Sequence, residues 1–228
     1  MSDTEKPGVQ PLIAILGGTG ALGGGLAWRW VRAGYDVIIG SRTLEKASAA
    51  AADLNAMDIA RPVRAMTNPD AAAAADIVVM TVPFANHEGT LASVRAVVQG
   101  KIFVDVTVPL VPPKVGTVQL PAAGSAGVLA QAQLGDGVKV VSAFQNVAAA
   151  HLTDAHQDPD CDVLVCGNDA GACEQVMALA RAAGMIAWHA GPIANAVVAE
   201  AMTSVLITLN RRYKIPGAGF RITGTPGG

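Results

Sequence analysis

A seven-residue turn, Gly17-Gly18-Thr19-Gly20-Ala21-Leu22-Gly23, limits the fold of this 228-residue chain more than any other stretch. Before it stands the apolar run Leu12-Ile13-Ala14-Ile15-Leu16. After it Leu22, Leu26 and Trp30 recur at helical spacing, with Arg29 and Arg32 on another face. A run that is apolar at every position reads as a strand buried on both faces of a parallel sheet, and the spaced leucines read as an amphipathic helix. Gly18, Gly20 and Gly23 therefore fit G-x-G-x-x-G in the strand–turn–helix setting that gives this pattern its meaning.

The alternation continues. Residues 36–40 read as a second strand, 44–56 as an alanine-rich helix and 63–66 as a weak third strand. Residues 76–82 form a fourth strand stopped by Pro83, followed by a helix over 87–98, a fifth strand over 102–106 and a sixth over 138–143. This order predicts an α/β fold, a Rossmann-type doubly wound parallel sheet. Residues 107–125 interrupt it with Pro109, Pro112, Pro113 and Pro121. A long loop after the C-terminal end of such a strand lies where open α/β sheets bind ligands. Beyond residue 150 come a strand over 161–166, a helix over 170–183 and a strand over 185–189. A last helix carries Ile193, Val197, Val198, Met202, Val205, Leu206 and Leu209 as one broad apolar stripe. Two domains are expected, 1–150 for nucleotide binding and a smaller C-terminal α/β domain over 151–228.

Composition removes several classes. Hydrophobic residues at 51% and charged residues at 15% exclude general disorder. A net charge of −2 and 4% aromatics argue against nucleic acid as a partner. Apolar runs are interrupted, as by Asp76 and Glu200, so no membrane span is expected. The opening residues Met1 to Lys6 lack a basic export-signal pattern, which points to the cytoplasm. Cys161, Cys166 and Cys173 are odd in number and read as small buried hydrophobes, with no metal site.

The glycine turn leaves the N–H groups of a helix start open to a pyrophosphate. The second strand ends in Gly40-Ser41-Arg42, with Lys46 one turn on, where an NAD site usually has an acid. A hydroxyl, a guanidinium and an ammonium bind a 2′-phosphate that a carboxylate repels, so NADP(H) is the expected cofactor.

These residues, with Thr-Val-Pro at 81–83, Val-Val-Ser-Ala at 140–143, Val-Cys-Gly-Asn-Asp at 165–169 and Ala-Gly-Pro-Ile-Ala-Asn at 190–195, give a resemblance over nearly the whole chain. The chain resembles the NADPH-dependent F420 reductase family. The resemblance implies hydride transfer between C4 of the nicotinamide and C5 of the deazaflavin coenzyme F420, a small-molecule redox co-substrate, in a homodimer. It implies cofactor contacts at Gly18, Thr19, Gly20, Ala21 and Leu22, and at Ser41, Arg42 and Lys46. It implies further contacts at Val82 and Pro83, and at Gln145 and Asn146 after the sixth strand; His87 is expected in the same pocket from its position just after the fourth strand. No catalytic dyad is expected, because hydride transfer between stacked rings needs positioning rather than acid–base groups.

Gln145 stands where the family carries a histidine. An amide donates to a ring carbonyl without offering a positive charge. A flavin, a pterin or a small carbonyl or imine therefore stays open as the acceptor, as does a non-catalytic NADP-sensing role. Arg211, Arg212, Lys214 and Arg221 are expected to attract the anionic tail of F420.

Overall fold

A computed structural model describes residues 10–59 and 61–224; the opening stretch considered for a targeting signal lies outside them. Eight strands form one sheet: β1 (Ile13–Leu16), β2 (Val37–Ser41), β3 (Arg64–Thr67), β4 (Ile77–Met80), β5 (Ile102–Asp105), β6 (Lys139–Ser142), β7 (Asp162–Gly167) and β8 (Ile186–His189). Their order is β3-β2-β1-β4-β5-β6-β7-β8. All neighbours are parallel except β6 and β7, where Ser142 faces Cys166.

The helices are α1 (Ala21–Arg32), α2 (Leu44–Asn55), α3 (Asn68–Ala74), α4 (His87–Val94), α5 (Ala126–Leu134), α6 (Ala170–Ala182) and α7 (Ala196–Tyr213). The strands divide their side chains between two cores. Ile13 and Ile15 enter the core that holds Leu26, Trp30, Leu54 and Val176, whereas Ala14 and Leu16 enter the one with Leu91, Ala130 and Ala196. Burial on both faces is why β1 and β4 are apolar at every position.

Two helices, α3 and α5, carry no amphipathic signal. α3 is a proline start followed by alanines, with Thr67 accepting from the N–H of Asp70 as its cap. α5 packs near both the sheet and α7: a Cβ at Gly127 would lie 3.1 Å from Ile193 Cδ1 and 3.3 Å from Ser142 Cβ. A helix enclosed in this way has no need of a polar face.

The segment after residue 150 extends the same sheet, and one core contains side chains from both sides of that point. Arg29, read on a face of α1 away from the apolar stripe, is also buried and holds this junction. Its guanidinium donates to the carbonyls of Leu152 (2.7 Å), Asp154 (2.8 Å) and Gln157 (2.6 Å) and pairs with Asp158 at 2.9 Å. A planar fork of donors suits such a converging set of oxygens. Gly25 lets the same segment approach, since a Cβ there would lie 2.6 Å from Leu152 Cβ.

The last helix departs from its expected stripe. Ala196, Ala199, Glu200, Ser204 and Leu206 face inward, while Val198 is 55% exposed and Val205 42%. By length and composition the stretch Ile193–Tyr213 is apolar enough to cross a membrane. Here its inner face instead packs on the protein, and Glu200 accepts from the N–H groups of Ala126 (2.7 Å) and Gly127 (3.1 Å) at the start of α5.

Candidate functional site

The chain runs outward in opposite directions from β1 and β4, which leaves a crevice at their C-terminal ends. A cavity of about 790 Å³ occupies that crevice. Every strand end from β1 to β6 contributes to its wall, directly or through the segment that follows it.

Glycines shape the first part of the wall. Gly17 adopts φ +75°, and a Cβ there would meet Val82 Cγ1 at 2.7 Å. Gly23 brings α1 against β4: an added Cβ would lie 2.6 Å from Thr81 Oγ1 and 2.8 Å from Gly18 Cα. α1 starts at Gly20 with no side-chain cap and no acid in its first turn. Its leading N–H groups and positive dipole end thus address the cleft, an arrangement suited to a pyrophosphate.

At the end of β2, Ser41, Arg42 and Lys46 all line the cleft. Thr43 Oγ1 accepts from the N–H of Lys46 and caps α2, so the helix start is already satisfied. Among the described residues neither Arg42 nor Lys46 forms an ion pair. Two free cations beside a hydroxyl fit a phosphate monoester.

Beyond β4 and β5 the wall is formed by Val82, Pro83, Phe84, Val106, Thr107, Val108 and Leu110. Gln145 closes it from below, with Thr203 of α7. Phe144, just before Gln145, has the left-handed φ of 71°, unusual for a residue with a side chain. Its ring is gripped edge-on by Trp30, with centroids 5.9 Å apart, which holds the strained backbone in place.

Of the candidate residues, Thr19, Gly20, Ala21, Leu22, Ser41, Arg42, Lys46, Val82, Pro83 and Gln145 come together in the cleft wall. Gly18, His87 and Asn146 do not line it. Gly18 lies under the turn, where a Cβ would strike Ile39 Cδ1 at 2.8 Å. His87 is buried behind the wall, with Nε2 2.7 Å from Asp105 Oδ2. Asn146 turns away and donates to the carbonyl of Asp162 at 2.8 Å.

Gln145 also differs from expectation. Its Nε2 donates to the carbonyl of Asp105 (2.9 Å) and to Ser142 Oγ (2.7 Å), so both amide hydrogens are spent on the protein. The reverse orientation would set two acceptor oxygens against each other. Gln145 therefore has no donor left for a ring carbonyl, and its Oε1 is buried without a hydrogen-bond partner.

Asn68, Thr107 and Thr203 line the cleft as well and escape sequence reasoning, because an isolated Asn or Thr carries no spacing signal. Asn68 Oδ1 is likewise buried and unpartnered, beside Gly40. Unmet buried acceptors cost free energy unless a ligand supplies donors. With the uncapped helix and the two free cations, they fit a phosphorylated dinucleotide.

The described cleft wall has no carboxylate, imidazole or thiol. The cysteines are buried elsewhere, and burial pushes the thiols of Cys161 and Cys166 up to about 11. Arg221, one of the basic residues near the C-terminus, pairs with Asp160 beside a separate cavity.

Residues 12–109 match the family model described as NADP oxidoreductase, coenzyme F420-dependent. The chain is 41% identical over 223 residues to the F420-dependent NADP reductase of Methanothermobacter thermautotrophicus, covering 94% of this chain and 95% of that one. It is 40% identical to the enzyme of the same name from Methanocaldococcus jannaschii, covering 92% and 97%. A crystal structure from Arthrobacter sp. FB24, provisionally assigned as an F420-dependent NADP-reductase, superimposes with a TM-score of 0.78 at 26% identity, covering 94% of this chain and all of that one. With relatives this similar over nearly its full length, the chain belongs to the F420-dependent NADP reductase family.

Proposed function

We propose that the protein transfers hydride between NADP(H) and the deazaflavin coenzyme F420. One observation carries the reading: the cleft has the start of α1, Ser41, Arg42 and Lys46 at one end, and a far end whose wall has no carboxylate, imidazole or thiol. A hydride leaves C4 of NADPH with both bonding electrons and reaches C5 of the deazaflavin, and solvent supplies the accompanying proton. The protein's part is to hold the two carbons in register and exclude water.

Each end has its own task. The start of α1 receives the pyrophosphate, and Ser41, Arg42 and Lys46 hold the 2′-phosphate. Val82 and Pro83 form an apolar wall for the nicotinamide. Gln145 offers an acceptor oxygen where the rings meet, which suits a ligand N–H such as a carboxamide or ring imide.

Residues 151–228 act as the smaller domain that supplies acceptor-pocket and dimer contacts. Val198 and Val205, 55% and 42% exposed and two turns apart on α7, leave an apolar face that joins two copies. Such an enzyme works on the cytoplasmic pool of NADP(H), where we place it.

The test is an absorbance assay with purified protein, NADPH and oxidised F420. Loss of the deazaflavin's visible band, absent with NADH, FMN or FAD, is the expected result. NADPH binding without bleaching overturns the choice of acceptor and keeps the cofactor.

A further inference from the structure

The proline-rich strap over 107–125 begins in the cleft wall and then crosses the outer part of α7. Val115 still lines the cleft. The next residue, Gly116, is pressed on the helix: Thr208 Oγ1 donates to its carbonyl at 2.8 Å, and a Cβ at Gly116 would lie 2.7 Å from that hydroxyl. The same added atom would lie 3.9 Å from Arg211 Nη1. The Arg211 guanidinium thus lies one residue beyond the cleft wall, with the exposed Lys114 on the same stretch of strap.

The chain as a whole carries −2, yet neither residues 106–135 nor residues 201–228 contain an acidic side chain. Those two stretches meet where Gly116 touches Thr208. Among the described residues, Lys114 and Arg211 have no ion-pair partner. Arg212, stacked on Tyr213 at 5.9 Å, and Lys214, which ends α7, add to the field. Arg221 does not, because it is paired with Asp160.

We infer that this rim, centred on Lys114 and Arg211, holds the anionic tail of the acceptor while the deazaflavin ring lies in the cleft. The inference rests on the proposed function. The tail of F420 carries a phosphodiester and glutamate carboxylates, which match the unpaired cations Lys114 and Arg211 beside the cleft wall. Guanidinium and ammonium groups at a cleft mouth raise the local concentration of such a ligand and hold it in a salt-dependent way.

The experiment compares F420 with the free deazaflavin riboside, which has the same ring without phosphate or glutamates. At low ionic strength the wild-type protein should show a KM for F420 about tenfold below that for the riboside, and the gap should close as salt is raised. Lys114→Glu combined with Arg211→Glu should raise the F420 KM by about tenfold and erase the gap. NADPH binding by fluorescence verifies that the double variant is folded. Equal KM values for both acceptors in the wild type, or a gap that survives the double substitution, overturns the tail site alone. Reduction of neither ring overturns the functional reading and this site with it.

Discussion

His87 Nε2 lies 2.7 Å from Asp105 Oδ2, and both side chains are sealed from solvent. Asp105 Oδ1 accepts from the N–H of Thr107 at 2.9 Å, and its main-chain carbonyl accepts from Gln145. One buried aspartate thus ties α4 to β5, starts the strap and orients the Gln145 amide in the cleft wall. His87→Leu strands a buried carboxylate without its partner. A loss of about 3–5 kcal/mol in unfolding free energy is expected, measured by urea denaturation. Asp105→Asn in the same background should recover part of that loss, because it removes the stranded charge.

Arg42 and Lys46 line the cleft and form no ion pair among the described residues. Replacing either by Ala should weaken NADPH binding by roughly 10- to 100-fold, the range for a charge-assisted hydrogen bond, and leave NADH binding nearly unchanged. Fluorescence titration with both nucleotides measures the ratio. Equal weakening for the two would remove these residues from 2′-phosphate recognition.

Burial pushes the carboxyl of Glu200, only 1% exposed, up to about 8; the N–H groups of Ala126 and Gly127 oppose that shift, and nearby Asp105 adds to it. In the unfolded chain a glutamate titrates near 4.3. Between these two values the folded protein holds more protons than the unfolded one. This group's contribution to stability is therefore complete at acidic pH and is lost as pH rises toward 8. Unfolding free energies measured from pH 5 to pH 8 should show that decline, and Glu200→Gln should flatten it.

Gly23→Ala would place a methyl group 2.8 Å from Gly18 Cα and 2.6 Å from Thr81 Oγ1. Backbone cannot yield as a flexible side chain does, so α1 must move from β4. A cost of about 1–3 kcal/mol is expected, with weaker NADPH binding because the helix start shifts with it. Thermal unfolding and a binding titration check the two effects together. Gly24→Ala is the control, since an added Cβ there has its nearest neighbour at 3.7 Å.

Local pattern was enough for the strands, the glycine turn and the end of the cleft lined by Ser41, Arg42 and Lys46. A doubly buried strand reads as a nearly continuous apolar run, and a helix start that binds phosphate needs glycines at set spacing. Ser41, Arg42 and Lys46 were legible for the same reason: they follow a recognisable strand within a few residues. Long-range packing decided the remainder. Helices α3 and α5 carry no period because alanines or enclosure on several sides make one unnecessary. Arg29 reads as a charge off the apolar stripe of α1 until Leu152, Asp154 and Gln157 converge on it from more than 120 residues away. His87 and Asn146 stand beside the cleft in sequence yet turn from it, because Asp105 and Asp162 offer buried acceptors that no local spacing reveals. Gln145 illustrates the division most closely. Its place in the cleft wall follows from its position after β6. That it presents an oxygen rather than a donor depends on the Asp105 carbonyl, which only the packed sheet brings within 2.9 Å.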